Sequence, residues 1–368
     1  MAVNPTAIFR GNRPRDVRAL AAWHALAPRE PALEPGLPIV DAHHHLYGSA
    51  ADAQHYRAQD LAHDLAEGGH RVIGTVYIEA FGAGWRTDGL PELRSLGEVE
   101  TVVRVSAPAL QTPQGACQLG AGIVSNVDLC LGDAVVPVLE AHLQAGQGRL
   151  RGVRHHATHD SGPLGRFTHN ASPHLLGDSQ FRRGLGWLSR FGLSFDALVF
   201  HTQLDELAAL VDAFPDTRFI LNHGGIALGV APYDADRRGV FAQWQHGVYA
   251  LAERPNVSVK IGGMGMLLCG FGFERGELPP HSDALVRAWR PFIDACTNAF
   301  GSDRCMFESN FPVDKQSCSY AALWNAFKRC TSDWSVDERR SMFYRTACRA
   351  YRLPDLAVQC DGIAMPPR

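Results

Sequence analysis

The strongest constraint on the fold is a pattern that recurs along the chain: a short, continuously apolar run, then an amphipathic stretch. Eight such runs can be read, over Pro38–Ala42, Arg71–Ala80, Gln118–Asn126, Arg149–His155, Ser194–His201, Arg218–His223, Val257–Gly262 and Arg304–Ser309. Runs this uniformly apolar are buried on both faces, as strands of parallel sheets are. The stretches between them, such as Ala134–Ala145, Phe181–Phe191, Leu204–Phe214 and Tyr320–Cys330, carry apolar residues at helical spacing. Strand and helix in alternation give an α/β fold with a parallel sheet. A count of eight favours a closed (β/α)8 barrel of TIM type over an open doubly wound sheet, and no GxGxxG follows any strand. The reading is one barrel over 37–355, an N-terminal extension over 1–36 and a C-terminal tail over 356–368. Three longer connections, Leu46–Gly69, Gly225–Arg237 and Met264–Asp283, follow strands and therefore lie at the mouth, where barrel active sites are built.

Charge narrows the function classes. Thirty-five basic against 38 acidic side chains leave a net charge of -3, without the basic patch that nucleic-acid binding requires. No run approaches the ~18 apolar residues of a membrane span. The first 30 residues carry Arg10, Arg13, Arg15 and Arg18 but no apolar stretch of signal-peptide type. Nine cysteines, an odd number with no CxxC pair, read as reduced thiols. The expectation is a cytoplasmic enzyme acting on a small molecule, with no nucleic-acid or membrane partner. A homo-oligomer stays open.

The 17 histidines are unevenly placed. His43 and His45 stand two apart where the first strand ends, so alternation points both into the mouth. His201 ends the fifth run and His223 the sixth, bringing four histidines to C-terminal strand ends. Convergent imidazoles can hold a metal or polarise a carbonyl.

This ordered set resembles the amidohydrolase superfamily. It is most similar to the amidohydrolase-related branch that holds pyrone, muconolactone and sugar-acid lactonases. The matching pieces are IVDAHHHLY, LRGVRHHA, FHTQLDELAALVDAFPDTRFILNHGG, VSVKIGGMGM and RCMFESNFPVDK, which span most of Pro38–Leu353. The resemblance implies a distorted barrel of metal-dependent-hydrolase type and hydrolysis at a carbonyl carbon. It also implies one divalent metal, zinc, on His43, His45 and His201, with His223 as a further donor. A metal-free mechanism stands beside it. Two departures matter. Where relatives carry an Asp after the eighth strand, this chain has Asn310, which cannot take a proton from water. The fourth strand, LRGVRHH, offers no bridging Lys for a second metal.

The base is then sought among other carboxylates. Glu308 shares a strand face with Asn310 and reads either as a base or as a buried partner of an Arg or an amide. Glu79 ends the second strand, and Asp314 follows the eighth. Arg154 and Lys260 sit at strand mouths and would hold a substrate carboxylate, with Arg154 alternatively paired to Glu79 or Asp160. His155 joins Glu79 among the candidate substrate contacts. The catalytic candidates are His223, Glu308 and Asn310. The activity expected is that of a lactonase opening a cyclic ester of an acidic or sugar-acid substrate. The alternatives are a non-oxidative decarboxylase and a barrel that binds a small ligand without catalysis.

Overall fold

The computed structural model of the chain describes residues 14–49, 51–166 and 170–363. Arg10 and Arg13 of the extension and residues 364–368 of the tail lie outside the described residues. Eight parallel strands form the barrel wall: β1 (Ile39–His44), β2 (Val72–Ile78), β4 (Gly115–Asn126), β5 (Leu150–Arg154), β6 (Ser194–Ala197), β7 (Arg218–Leu221), β8 (Val257–Ile261) and β9 (Cys305–Phe307). A short strand, β3 (Leu110–Thr112), runs antiparallel to the start of β4 and stands outside the wall. The wall closes just past β9, where Asn310 N–H donates to the His43 carbonyl at 2.9 Å and His45 N–H to the Phe311 carbonyl at 2.8 Å. This is the (β/α)8 fold that the eight runs imply. β1 and β2 are buried along their whole length because helices cover their outer faces.

One helix shows how the cover forms. In Ser179–Arg190, Asp178 caps the first turn by accepting from the Gln180 and Phe181 amides. The helix buries Phe181, Gly184, Leu185 and Leu188, spaced as one face of a 3.6-residue period.

The structure departs from the sequence reading in several places. The connection Leu46–Gly69 contains a helix, Ala58–Gly68, that closes on a left-handed Gly69. The fifth run stops at Ala197, and His201 instead opens a short turn, His201–Gln203. The sixth stops at Leu221; His223 follows in a turn with φ +54, unusual for a residue other than glycine. The last helical stretch is divided by a π-turn over Ser341–Arg345. The extension holds a helix, Val17–His24, that buries Leu20 and Trp23. The helix Pro354–Asp361 crosses the expected tail boundary and buries Leu356 and Cys360. All nine cysteines are free, eight of them buried. Among the described residues no helix is long and apolar enough to cross a membrane.

Candidate active site

The site starts from β1. Asp41, His43 and His45 share one side of the strand, and Asp41, the lowest, is structural. It accepts from Ser309 N–H at 2.8 Å and Tyr320 O–H at 3.0 Å, and burial pushes its carboxyl up to about 6. His45 Nδ1 lies 2.8 Å from the Ile78 carbonyl, so it carries the proton and Nε2 is left with a lone pair. That nitrogen faces His43 Nε2 at 3.1 Å and Asn310 Oδ1 at 3.3 Å. The amide of Asn310 is turned this way because its Nδ2 donates to Asp314 Oδ1 at 2.8 Å. Asp314 also accepts from Gly265 N–H, and burial raises its carboxyl well above the carboxylate range.

On the other side of His43, Lys260 Nζ stands 3.3 Å from Nδ1. An ammonium can only donate, so the His43 proton sits on Nε2. Burial, then Lys260 and the neighbouring imidazoles, push His43 well below its usual pKa and keep it neutral. Glu308 lies beneath His43 and His223, which themselves sit with ring centroids 4.6 Å apart. Its Oε1 accepts from His223 Nδ1 at 2.6 Å, buried on both sides. Its Oε2 is 2.9 Å from His43 Nδ1 but off the line of a hydrogen bond, so it has no hydrogen-bond partner. No other hydrogen bond joins His223 among the described residues, which leaves Nε2 free to act. The ring fits because Gly263 faces it: a Cβ there would come within 2.3 Å of His223 Nδ1.

Below this group, alternating charges line the barrel. Lys260 is fully buried and donates to Asp196 Oδ2 at 2.9 Å. The same oxygen accepts from Tyr351 O–H at 2.7 Å and Asn222 Nδ2 at 3.1 Å. Arg154 donates through Nε to Glu79 Oε1 at 2.6 Å, through Nη2 to the Glu79 carbonyl, and through Nη1 to Asn222 at 3.5 Å. His156 Nε2 reaches the same Glu79 oxygen at 2.6 Å. Burial raises the Glu79 carboxyl, but His156 and Arg154 outweigh it and hold the group well below the usual carboxylate range.

These contacts correct several expectations. Arg154 and Lys260 are each paired with one of the protein's own carboxylates, the alternative weighed for Arg154. His155 faces away, as its neighbour Arg154 points inward: its Nδ1 accepts from Leu129 N–H, and its ring meets Phe181. His156, one residue on, takes the inward place. His201 is not brought to the histidine cluster. Its Nδ1 accepts from Leu228 N–H at 3.4 Å, and its ring stands edge-on to Tyr233, because the strand ends before it. Among the described residues the buried group able to hold a metal is His43, His223 and Glu308, rather than His43, His45 and His201. Asp196 and Tyr351 were not singled out from sequence. A lone acid in the apolar run SFDA was the available signal for the first; nothing local marked the second.

Glu98 supports the turn that carries the β2 end of the site. Its Oε1 accepts from Ala80 N–H at 3.2 Å, Gly82 N–H at 2.6 Å and Tyr77 O–H at 3.1 Å. Burial, with the nearby Glu79 charge, pushes its carboxyl from 4.5 to about 7. A folded pKa above the unfolded one gives stability that is complete below the unfolded value and lost as pH rises through the folded one. Glu98 is therefore expected to cost the protein about 3 kcal/mol between those limits. Glu98→Gln should flatten that part of the decline, measured as melting temperature from about pH 5 to pH 8. A variant that tracks wild type across the range would assign the dependence elsewhere.

Comparison with known proteins adds the following. A family model described as amidohydrolase matches residues 40–353. An uncharacterised protein of Sinorhizobium fredii is 35% identical over 63% of this chain and 70% of its own length. An L-fucono-1,5-lactonase of Burkholderia multivorans is 30% identical over 61% of this chain and 71% of its own length. A crystal structure of an amidohydrolase from Burkholderia multivorans, with bound zinc, superposes with a TM-score of 0.64 at 24% identity, covering 86% of this chain and 99% of that one.

Proposed function

The chain belongs to the amidohydrolase family, and from that premise we propose that it is a lactonase, opening a cyclic ester by adding water to the ring carbonyl. The observation that carries this reading is the buried His223–Glu308 pair, 2.6 Å apart beside His43 and His45 at the mouth of the barrel. The lactonase named among the relatives supports the reading. Glu308 accepts the Nδ1 proton and orients the imidazole, so Nε2 is the base. Water adds to the carbonyl carbon as His223 Nε2 takes one of its protons. His43 Nε2–H, kept in that tautomer by Lys260 and donated to His45 Nε2 at 3.1 Å in the free site, would turn to the developing oxyanion. The ring C–O bond then breaks, and the departing alkoxide takes the proton back from His223. The product is a hydroxy acid, which ionises and releases one proton.

The residues present fit a divalent cation. His43, His223 and Glu308 each offer a ligand atom within 4.8 Å of the others, and Glu308 Oε2 is buried without a hydrogen bond. Two imidazoles and a carboxylate are a donor set of the kind zinc takes. His43, His223 and Glu308 would hold the ion, which would supply Lewis-acid polarisation of the lactone carbonyl; His223, as a ligand, would then not serve as the base.

The test is proton release in a pH-stat from a panel of aldono-1,4- and 1,5-lactones, using protein of known metal content before and after chelation. Stoichiometric release of acid is expected. No release from any lactone, by the metal-loaded or the chelated protein, would overturn the reading.

A further inference from the structure

A second donor group lies outside the polar layer, at the rim where β4 and β5 end. The two strands run side by side with Asn126 opposite Arg154, so the residues just past them are neighbours in space. Asp128, Cys130 and His155 meet there, each offering a ligand atom within 4.8 Å of the others. Cys130 is the one cysteine of the nine that is exposed.

The local backbone holds the three side chains in place. Asp128 caps the turn Leu129–Ala134, accepting from Cys130 N–H at 2.9 Å. In the same turn Leu129 N–H donates to His155 Nδ1 at 3.1 Å, and Phe181 stands edge-on to that ring at 5.3 Å. Gly132 carries the turn at φ +58 and ψ -128, a conformation that suits glycine. Burial, then the Asp128 and Asp178 carboxylates, push the Cys130 thiol up to about 11, so it stays protonated among negative charges. A divalent ion reverses that balance: it takes the sulfur as thiolate, and the thiol proton leaves to solvent.

Thiolate, imidazole and carboxylate together suit zinc or cobalt rather than magnesium or calcium, which take oxygen donors. Binding through His155 Nδ1 would give up the Leu129 hydrogen bond; binding through Nε2 would keep it. Three protein donors leave the fourth tetrahedral position to water.

We propose that Asp128, Cys130 and His155 form a second site for a thiophilic divalent ion, at the rim and separate from the His43, His223 and Glu308 group. The proposal is independent of the lactonase reading.

The experiment titrates the full chain, stripped of metal by chelation and kept anaerobic, with cobalt(II). The signal is the near-ultraviolet thiolate-to-cobalt charge-transfer band. The buried group of His43, His223 and Glu308 has no sulfur, so it is silent in this band. Wild type is expected to develop the band with one thiolate-bound cobalt per chain. Cys130→Ser should abolish it, with the melting temperature within a few degrees of wild type. Asp128→Asn, which can still cap the turn, should weaken cobalt binding ~10-fold or more. A wild-type chain without the band, a band that survives in Cys130→Ser, or an unchanged affinity in Asp128→Asn would overturn the proposal. The lactonase reading, decided by acid release, stands or falls apart from all three.

Discussion

His223→Asn is expected to lower kcat/KM for lactone opening by about 10³-fold while leaving the melting temperature within a few degrees of wild type. Asparagine is the informative replacement because the backbone here sits at φ +54, a conformation it tolerates better than alanine does. The change removes the free Nε2 and the group that Glu308 orients. Glu308→Gln should fall in the same direction by ~10²-fold, since an amide can still accept at Oε1 but no longer balances an imidazolium. Because the two residues act as a unit, the double variant should be little worse than the poorer single one. Initial rates in a pH-stat decide the matter, and wild-type turnover by His223→Asn would remove the residue from the mechanism.

Lys260→Met is expected to cost about 3–5 kcal/mol of unfolding free energy. Its ammonium is fully buried against Asp196 at 2.9 Å, so the methionine strands a buried carboxylate with Tyr351, Asn222 and Ser194 as its remaining donors, all of them neutral. Pairing it with Asp196→Asn should recover most of the loss, because the penalty belongs to the unpaired charge and not to the missing contact. Urea denaturation with an unchanged slope would report this as stability. A loss under about 1 kcal/mol would mean that Asp196 takes up a proton when its partner goes.

How much of this could be read beforehand depended on the range of the interaction. The barrel was legible because each strand announces its own burial, and His43 and His45 because a two-residue period fixes their side of β1. Glu308 and Asn310 were singled out by the same period, although both lie just past β9, which ends at Phe307. His201 and His155 were misplaced where local backbone geometry intervened: the fifth strand ends early, and the alternation after Arg154 turns His155 outward. The pairing of Arg154 with Glu79 was weighed as one alternative, but a spacing of 75 residues gives no means of choosing it. The cations read as substrate anchors are also counter-ions of the protein's own acids.

Tyr351 carries one last consequence. It enters the barrel from the C-terminal end of the fold, bonds Asp196 and lies under Lys260 with the ammonium 5.1 Å from its ring centre. The histidines at the mouth are emplaced by a polar column whose lowest member is translated after every strand of the wall. A nascent chain halted short of that tyrosine contains all eight strand segments, yet it lacks the donor that completes the Asp196 group. A truncation at 350 removes that donor together with the buried Leu356 and Cys360, and should lose both stability and turnover.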